Sequence, residues 1–225
     1  MKQLRSLTEL LQYAQEVGPL TISVACAEDA EVLEAVEEAR RKGIAKAFLV
    51  GDADRIRSVA SGLGVDLTPY DVVDEKGGEA AASLRAVELV SSGQADILMK
   101  GMVKTANFLR GVLNKEKGLR SGSLLSHVYI HEVENYDRIF FIADPAFNMY
   151  PDLGAKVGII DNTVQLAHAF GVRATLVALI AATGEPVINA VRTKEALFTE
   201  LQLSAPGVTD AQLIDAMLAH PILIN

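Results

Sequence analysis

The chain has 225 residues, half of them apolar, and a formal net charge of −8, enough to bury a real core as one large domain or as one domain with a smaller partner. The acidic balance excludes a general nucleic-acid or membrane-surface binder, because phosphate backbones and anionic lipids reward Lys and Arg clustered over a whole face. A single cysteine, Cys26, excludes an intrachain disulfide. The start MKQLRSLTELLQYAQEVG alternates charge with Leu instead of carrying a signal-peptide apolar block, so a reducing cytoplasm is expected. No stretch approaches the roughly eighteen consecutive apolar residues of a membrane span.

In chain order, Thr21 to Ala25 is a short apolar run. Ala30 to Lys42 follows with Val32, Leu33, Val36 and Ala39 at helical spacing, until Gly43 stops it. The strand-then-helix unit recurs as Ala47 to Val50 with Asp52 to Leu63, Asp71 to Val73 with Glu79 to Ser91, and Ile97 to Met99 with Thr105 to Asn114. Such alternation predicts an α/β fold with a mostly parallel sheet and helices on both faces. After Gly118 the rhythm changes. Leu124 to Val133 and Arg138 to Ala143 read as two strands joined by the polar turn Glu134 to Asp137, a hairpin expected to be added to the sheet. Gly154 to Phe170 is a helix. The segment Ala174 to Ala182 is very apolar, Pro186 to Leu203 is read as helical, and Thr209 caps a last helix running to Ala219.

The segment from Asp96 to Arg110 places Lys100 and Gly101 at the carboxyl end of a strand, where open α/β sheets hold their ligands. Gly101 lets the backbone turn or approach a ligand closely. Thr105 is a natural N-cap for the following helix, whose unpaired N–H groups attract an oxyanion. Between Lys100 and Arg120 there are six basic residues and one acidic one, Glu116, a local excess of five positive charges in a net-negative chain. For Lys104, Lys115 and Lys117 the competing reading is a solvated helix face and its C-terminal turn. Lys100, Gly101, Thr105 and Arg110 together are read as an anion-binding loop. It matches neither a Walker loop nor G-x-G-x-x-G and so implies no nucleotide. No metal site is expected.

Met99-Lys100-Gly101, Thr105, Leu109-Arg110, Val112 to Glu116 and Gly118 to Val128 closely resemble the phosphate acetyl/butyryl transferase family, the butyryl branch especially. Glu28-Asp29, Gly43 to Ala45, Leu49 to Asp52, Asp144 to Asn148, Pro151 to Leu153 and Asn162 to Gly171 extend the resemblance over about residues 15–172. Membership implies transfer of a short acyl group between coenzyme A, as a substrate and not a tightly bound cofactor, and inorganic phosphate. It further implies a cleft between two α/β domains, usually in a homo-oligomer. By the same resemblance Arg110 contacts phosphate or the acyl phosphate with Lys100 and Thr105 beside it, Ser126 and His127 line the cleft, and Asp144 is a further binding residue. For Ser126 and His127 a polar pair on a sheet edge is an equal alternative.

The family's chain normally continues for a hundred or more residues and supplies a Ser-Arg and Asp motif that this sequence does not contain. From about Pro186, residues including Asn189 to Glu195 and Thr209 to Asn225 instead resemble the middle of glutaredoxin-linked arsenate reductases, with Arg192 at an oxyanion-binding arginine. The expected organisation is a phosphate acyltransferase-like domain over residues 1–172 and a helical segment over 173–225. A non-catalytic phosphate- or coenzyme A-binding remnant is the alternative function, and an arsenate reductase is a third. Cys26 is followed by Glu28 and Asp29, which disfavours a reactive thiolate, so it is read as a buried structural cysteine. His220 is read as a helix C-terminal residue before Pro221.

Overall fold

A computed structural model of the chain describes residues 3–133 and 138–172, and, in the tail, 188, 191, 193–194, 196–209, 212–213, 215–216 and 220. The expected turn Glu134 to Asp137, the apolar segment Ala174 to Ala182 and Arg192 lie outside the described residues. The chain divides into two compact units, one comprising Arg5–Leu124 with Glu132–Ile139, the other containing Leu125–His131 and the residues from Phe140 onward.

The first unit opens with a helix that the sequence reading passed over, α1 (Leu7–Val17), capped by the Ser6 hydroxyl, which accepts from the Glu9 N–H. Four strands follow, β1 (Leu20–Ala25), β2 (Ala45–Gly51), β3 (Asp71–Asp74) and β4 (Ile97–Lys100). They form a sheet in the order β3-β2-β1-β4, with every pairing parallel. Between them run α2 (Ala30–Arg41), α3 (Ala53–Leu63) and α4 (Glu79–Ser91), and α5 (Thr105–Val112) follows β4.

Local chemistry sets these boundaries. Asp29 and Asp52 accept from the first-turn N–H groups of α2 and α3, and Gly64, in the left-handed region at φ 68°, closes α3. Side-chain alternation along β1 then sorts the core into two layers. Ile22 and Val24 point with Ala47 and Leu49 toward Leu33, Val36, Ile56 and Ala60 of α2 and α3. Ala25 and Val50 point the other way, toward Ala82, Ala86 and Leu89 of α4. The sheet is therefore covered on both faces, as expected. On the α4 side Ser23 is fully buried, and its hydroxyl donates to the Ala86 carbonyl at 2.9 Å.

Two expectations need correcting. The strands β5 (Val128–Glu132) and β6 (Ile139–Ala143) pair with each other in a two-stranded sheet of their own and do not join the four-stranded one. A strand covered on both faces needs apolar side chains on both, and β5 alternates partly buried Val128 and Ile130 with exposed Tyr129 and His131. In the second unit, α6 (Leu153–Ala169) is capped by Asp152 and matches the expected helix to within a residue at either end.

The described helical part of the expected helix Pro186 to Leu203 is only α7 (Ala196–Glu200). It ends where Gln202 takes a left-handed φ of 54°, and Leu203 is buried with Val191, Phe198 and Leu213. Thr209 caps as expected. Its hydroxyl accepts from the Gln212 N–H while the Gln212 amide oxygen accepts from the Thr209 N–H at 2.8 Å, a reciprocal capping box.

Candidate functional site

The chain builds β1, β2 and β3 outward in one direction, then returns to lay β4 on the opposite side of β1. The crevice outside the carboxyl ends of β1 and β4 is thus the place where strand order reverses, the default ligand position of an open parallel sheet. Lys100 sits there in register with Ala25. Beyond the last paired residues the two chains stay together, the Gly101 N–H donating to the Ala25 carbonyl at 2.9 Å and the Met102 N–H to the Cys26 carbonyl at 3.2 Å.

This contact explains the glycine. A Cβ at Gly101 would overlap the carbonyl oxygens of Ala25 and Cys26 and lie 3.0 Å from the Cys26 carbonyl carbon. The close approach that Gly101 permits is to the end of β1. On the other side of the crevice Cys26 has a φ of 58°, uncommon for a residue with a side chain, while the Ala27 N–H donates across to the Val50 carbonyl at 3.1 Å. The Cys26 thiol is buried and pushed up to about 11, by burial first and then by the carboxylates of Glu28 and Glu79, against opposing effects of Lys100 and Arg55. It is a neutral thiol, as the sequence reading expected.

The start of α5 corrects a further expectation. The N-cap is Lys104, and Thr105 is the first helical residue. A carboxylate also stands at the head of this helix. The Glu79 carboxylate from the head of α4 accepts from the Lys104 N–H at 3.2 Å and from the Asn107 amide at 2.8 Å. The Asn107 and Lys104 donors hold the Glu79 carboxyl below the usual range. Asn107 in turn accepts from Arg110 at 3.5 Å, a long contact. Lys100, Lys104 and Arg110 are all exposed, and among the described residues no ion pair takes up any of the three.

The rest of the basic stretch is different. The Asn114 side chain accepts from the N–H groups of Glu116 and Lys117, both at 3.0 Å. At Gly118 a Cβ would overlap the carbonyls of Val112 and Asn114. Lys117 pairs with Glu88 of α4, and the Ser91 hydroxyl donates to the Lys117 carbonyl at 2.9 Å. Lys117 therefore fastens the turn to α4.

In the second unit, the Ser126 hydroxyl accepts from the Asn162 amide of α6 at 2.9 Å. His127 packs edge-on against Tyr129, with ring centroids 4.4 Å apart, and its Nδ1 is buried with no hydrogen-bond partner. Asp144 organises the loop after β6. It accepts from the N–H groups of Ala146 at 3.2 Å and Phe147 at 3.0 Å, and from the Asn148 amide. Burial pushes its carboxyl up, but the donors of Phe147, Asn148, Ala146 and His127 outweigh this and hold it below the usual range.

Two functional candidates escaped the residue-level reading. Glu28 was noted as part of a resemblance and as a carboxylate beside Cys26, and Glu79 only as a helix start, yet both carboxylates stand at the carboxyl end of the sheet. A strand-end acidic residue followed by a helix cap, as in Ala27-Glu28-Asp29, was the available signal. Among the described residues no group of three or more His, Cys, Asp or Glu side chains could hold a metal ion, and no helix is long and apolar enough to cross a membrane.

Comparison with known proteins converges on one family. The model of the family described as phosphate acetyl/butaryl transferase matches residues 6–84 and 79–194. The chain is 48% identical to the phosphate butyryltransferase of Clostridium acetobutylicum over 186 residues, 83% of this chain and 61% of the relative. It is 49% identical to that of Clostridium beijerinckii over 176 residues, 78% of this chain and 58% of the relative. The chain thus spans about three fifths of the length of these relatives. Among solved structures, a branched-chain phosphotransacylase from Enterococcus faecalis is 28% identical with a TM-score of 0.58, over 66% of this chain and 51% of that one. A phosphotransacetylase from Streptococcus pyogenes, at 19% identity, shares the fold with a TM-score of 0.66 over 97% of this chain and 71% of that one. The family match runs to residue 194, past the point between Val172 and Val187 where the sequence suggested a change of family, and lends no support to an arsenate reductase fragment. The chain belongs to the phosphate acetyl/butaryl transferase family.

Proposed function

We propose that this chain acts as a phosphate acyltransferase of the butyryl type, transferring a short acyl group between coenzyme A and inorganic phosphate. A phosphate oxygen forms a bond to the thioester carbonyl carbon, the carbon–sulfur bond breaks, and coenzyme A leaves as thiolate to take up a proton. The observation that carries this reading is the set of three exposed cations, Lys100, Lys104 and Arg110, without ion-pair partners among the described residues, beside the β1/β4 strand reversal. Cations fixed there offset the charge of the nucleophile and of the oxyanion that develops on the carbonyl.

In this reading Lys100, Gly101, Thr105 and Arg110 hold phosphate, with Arg110 also acting in the transfer. Ser126, whose oxygen accepts from Asn162, and His127 are the further catalytic candidates. Asp144 contributes to binding through the loop it organises. Residues 1–172 belong to the phosphate acyltransferase-like part of the chain, and residues 173–225 follow it as a separate segment. The protein is cytoplasmic and homo-oligomeric, with no nucleic-acid or membrane partner, and coenzyme A is a substrate and not a resident cofactor.

A thiol-release assay with butyryl-CoA or acetyl-CoA plus phosphate tests the proposal. Phosphate-dependent release, depressed in Arg110→Ala through a raised phosphate requirement or a lower rate, is the expected result. Thermal stabilisation by phosphate without turnover would mean that the chain binds its substrate but does not complete the reaction.

A further inference from the structure

The crevice that holds Lys100 also holds a carboxylate, which is the wrong charge for a simple phosphate site. Glu28 follows the left-handed turn at Cys26 and lies over the end of β2. A Cβ at Gly51 would overlap its Oε2, so the glycine leaves the space that the carboxylate fills. Oε2 is buried and has no hydrogen-bond partner, although the residue as a whole is only partly buried. No ion pair among the described residues engages the group. A carboxylate oxygen held in this way is destabilising unless something donates to it. Native structures rarely leave such a group unpaired, and a bound ligand is one source of the missing donor.

The chemistry of that ligand follows from the charges around Glu28. Lys100 is in register with the end of β1, and Arg55 stands in the first turn of α3, directly after β2. Glu28 follows the end of β1, Lys100 ends β4 on one side of that strand and Arg55 follows β2 on the other, so these groups stand together at the carboxyl end of the sheet. Glu79 is occupied by Lys104 and Asn107, and Glu28 is not. Two cations favour an anion there. A free carboxylate among them repels any anion that is a pure acceptor and attracts one that still carries a proton. Phosphate near neutral pH carries an O–H, whereas sulfate does not.

Building on the phosphate-site reading above, we infer that Glu28 accepts the hydrogen bond of the phosphate O–H and is the residue by which the site separates hydrogen phosphate from fully ionised oxyanions. Lys100 and Arg55 supply affinity for the charged oxygens, and Glu28 supplies selectivity. Arsenate, also protonated near neutral pH, is accepted like phosphate.

The test is a series of thermal-unfolding titrations of the full chain with phosphate, arsenate and sulfate at constant ionic strength. For the wild type, phosphate and arsenate are expected to bind comparably, and sulfate at least about tenfold more weakly, the size of one lost charge-assisted hydrogen bond. Glu28→Gln, which removes the charge and turns one of the two acceptor oxygens into an NH2 donor, is expected to weaken phosphate about tenfold and to leave sulfate unchanged or tighter, with its anion-free midpoint reporting that it is folded. Wild-type sulfate binding equal to phosphate, or an unchanged phosphate-to-sulfate ratio in the variant, would overturn the inference while leaving the phosphate site intact. The wild-type arsenate and sulfate comparison decides the matter should the variant fail to fold. No response of the wild type to phosphate at tens of millimolar would overturn both this inference and the function it rests on.

Discussion

The two halves of the basic stretch from Lys100 to Arg120 look alike in sequence and behave differently in the fold. From Lys100 to Arg110 the cations run from the carboxyl end of β4 along α5 and are not consumed by ion pairs among the described residues. From Asn114 to Gly118 the chain is a tightly made turn, and Lys117 is spent on Glu88 of α4. Local charge excess is therefore a poor measure of ligand-binding capacity. What matters is whether each cation meets a carboxylate from elsewhere in the chain, and Glu88 is met only by the second half.

The sharpest way to break this comparison is at Gly101. Gly101→Ala forces a methyl group into the carbonyls of Ala25 and Cys26 and is expected to destabilise the protein by about 3 kcal/mol, read as a lowered denaturation midpoint. A variant as stable as the wild type would show that β1 and β4 are not packed together beyond Lys100. Next in size, Arg110→Ala is expected to weaken phosphate binding about tenfold in the same titration that reports stability, with the anion-free midpoint nearly unmoved because Arg110 is exposed.

A third experiment contrasts Glu28 with a carboxylate that is fully engaged. Glu37 of α2 accepts from Arg40, Tyr70 and Arg41. The Arg40 and Tyr70 hydrogen bonds lead in holding it at about 2, against an ordinary value of 4.5. Its folded value is the lower one, so its contribution to stability is full above pH 4.5 and fades as pH falls toward 2. Glu37→Gln should flatten the acid limb of the stability curve in that window. An unaltered limb would mean that the cluster does not hold in solution.

The smallest effect is expected at Lys117. Its side chain is 54% exposed, so Lys117→Ala should cost no more than about 1 kcal/mol and leave the phosphate response as it was. A loss of phosphate binding there would join the two halves of the stretch into one site and undo the distinction.

Much of the fold was legible without coordinates. The helix Glu79 to Ser91 was bounded correctly, and the strands of the four-stranded sheet were placed to within two residues, because hydrophobic period, caps and glycine stops act over a few neighbouring residues. Helix α1 was missed because its charged residues were weighed only against a signal peptide. The expected hairpin was misassigned to the main sheet because strand periodicity says nothing about which edge a strand joins. At the site, the sequence identified the loop but not its wiring.

The sequence by itself determined the βα alternation, the position of Lys100 and Gly101 at a strand end, and a family resemblance over about residues 15–172 that the comparisons bear out and extend to residues 6–194. Only the tertiary structure decided that Gly101 meets the end of β1, that Glu79 stands at the head of α5, that Lys117 is consumed by Glu88, and that the Glu28 Oε2 over Gly51 has no hydrogen-bond partner among the described residues. Each of these is a contact between residues far apart along the chain, 25 positions for Glu79 and Lys104 and 29 for Glu88 and Lys117 (117 − 88). Local propensity carries no information about such meetings, because they are set by the order in which parallel strands are laid side by side.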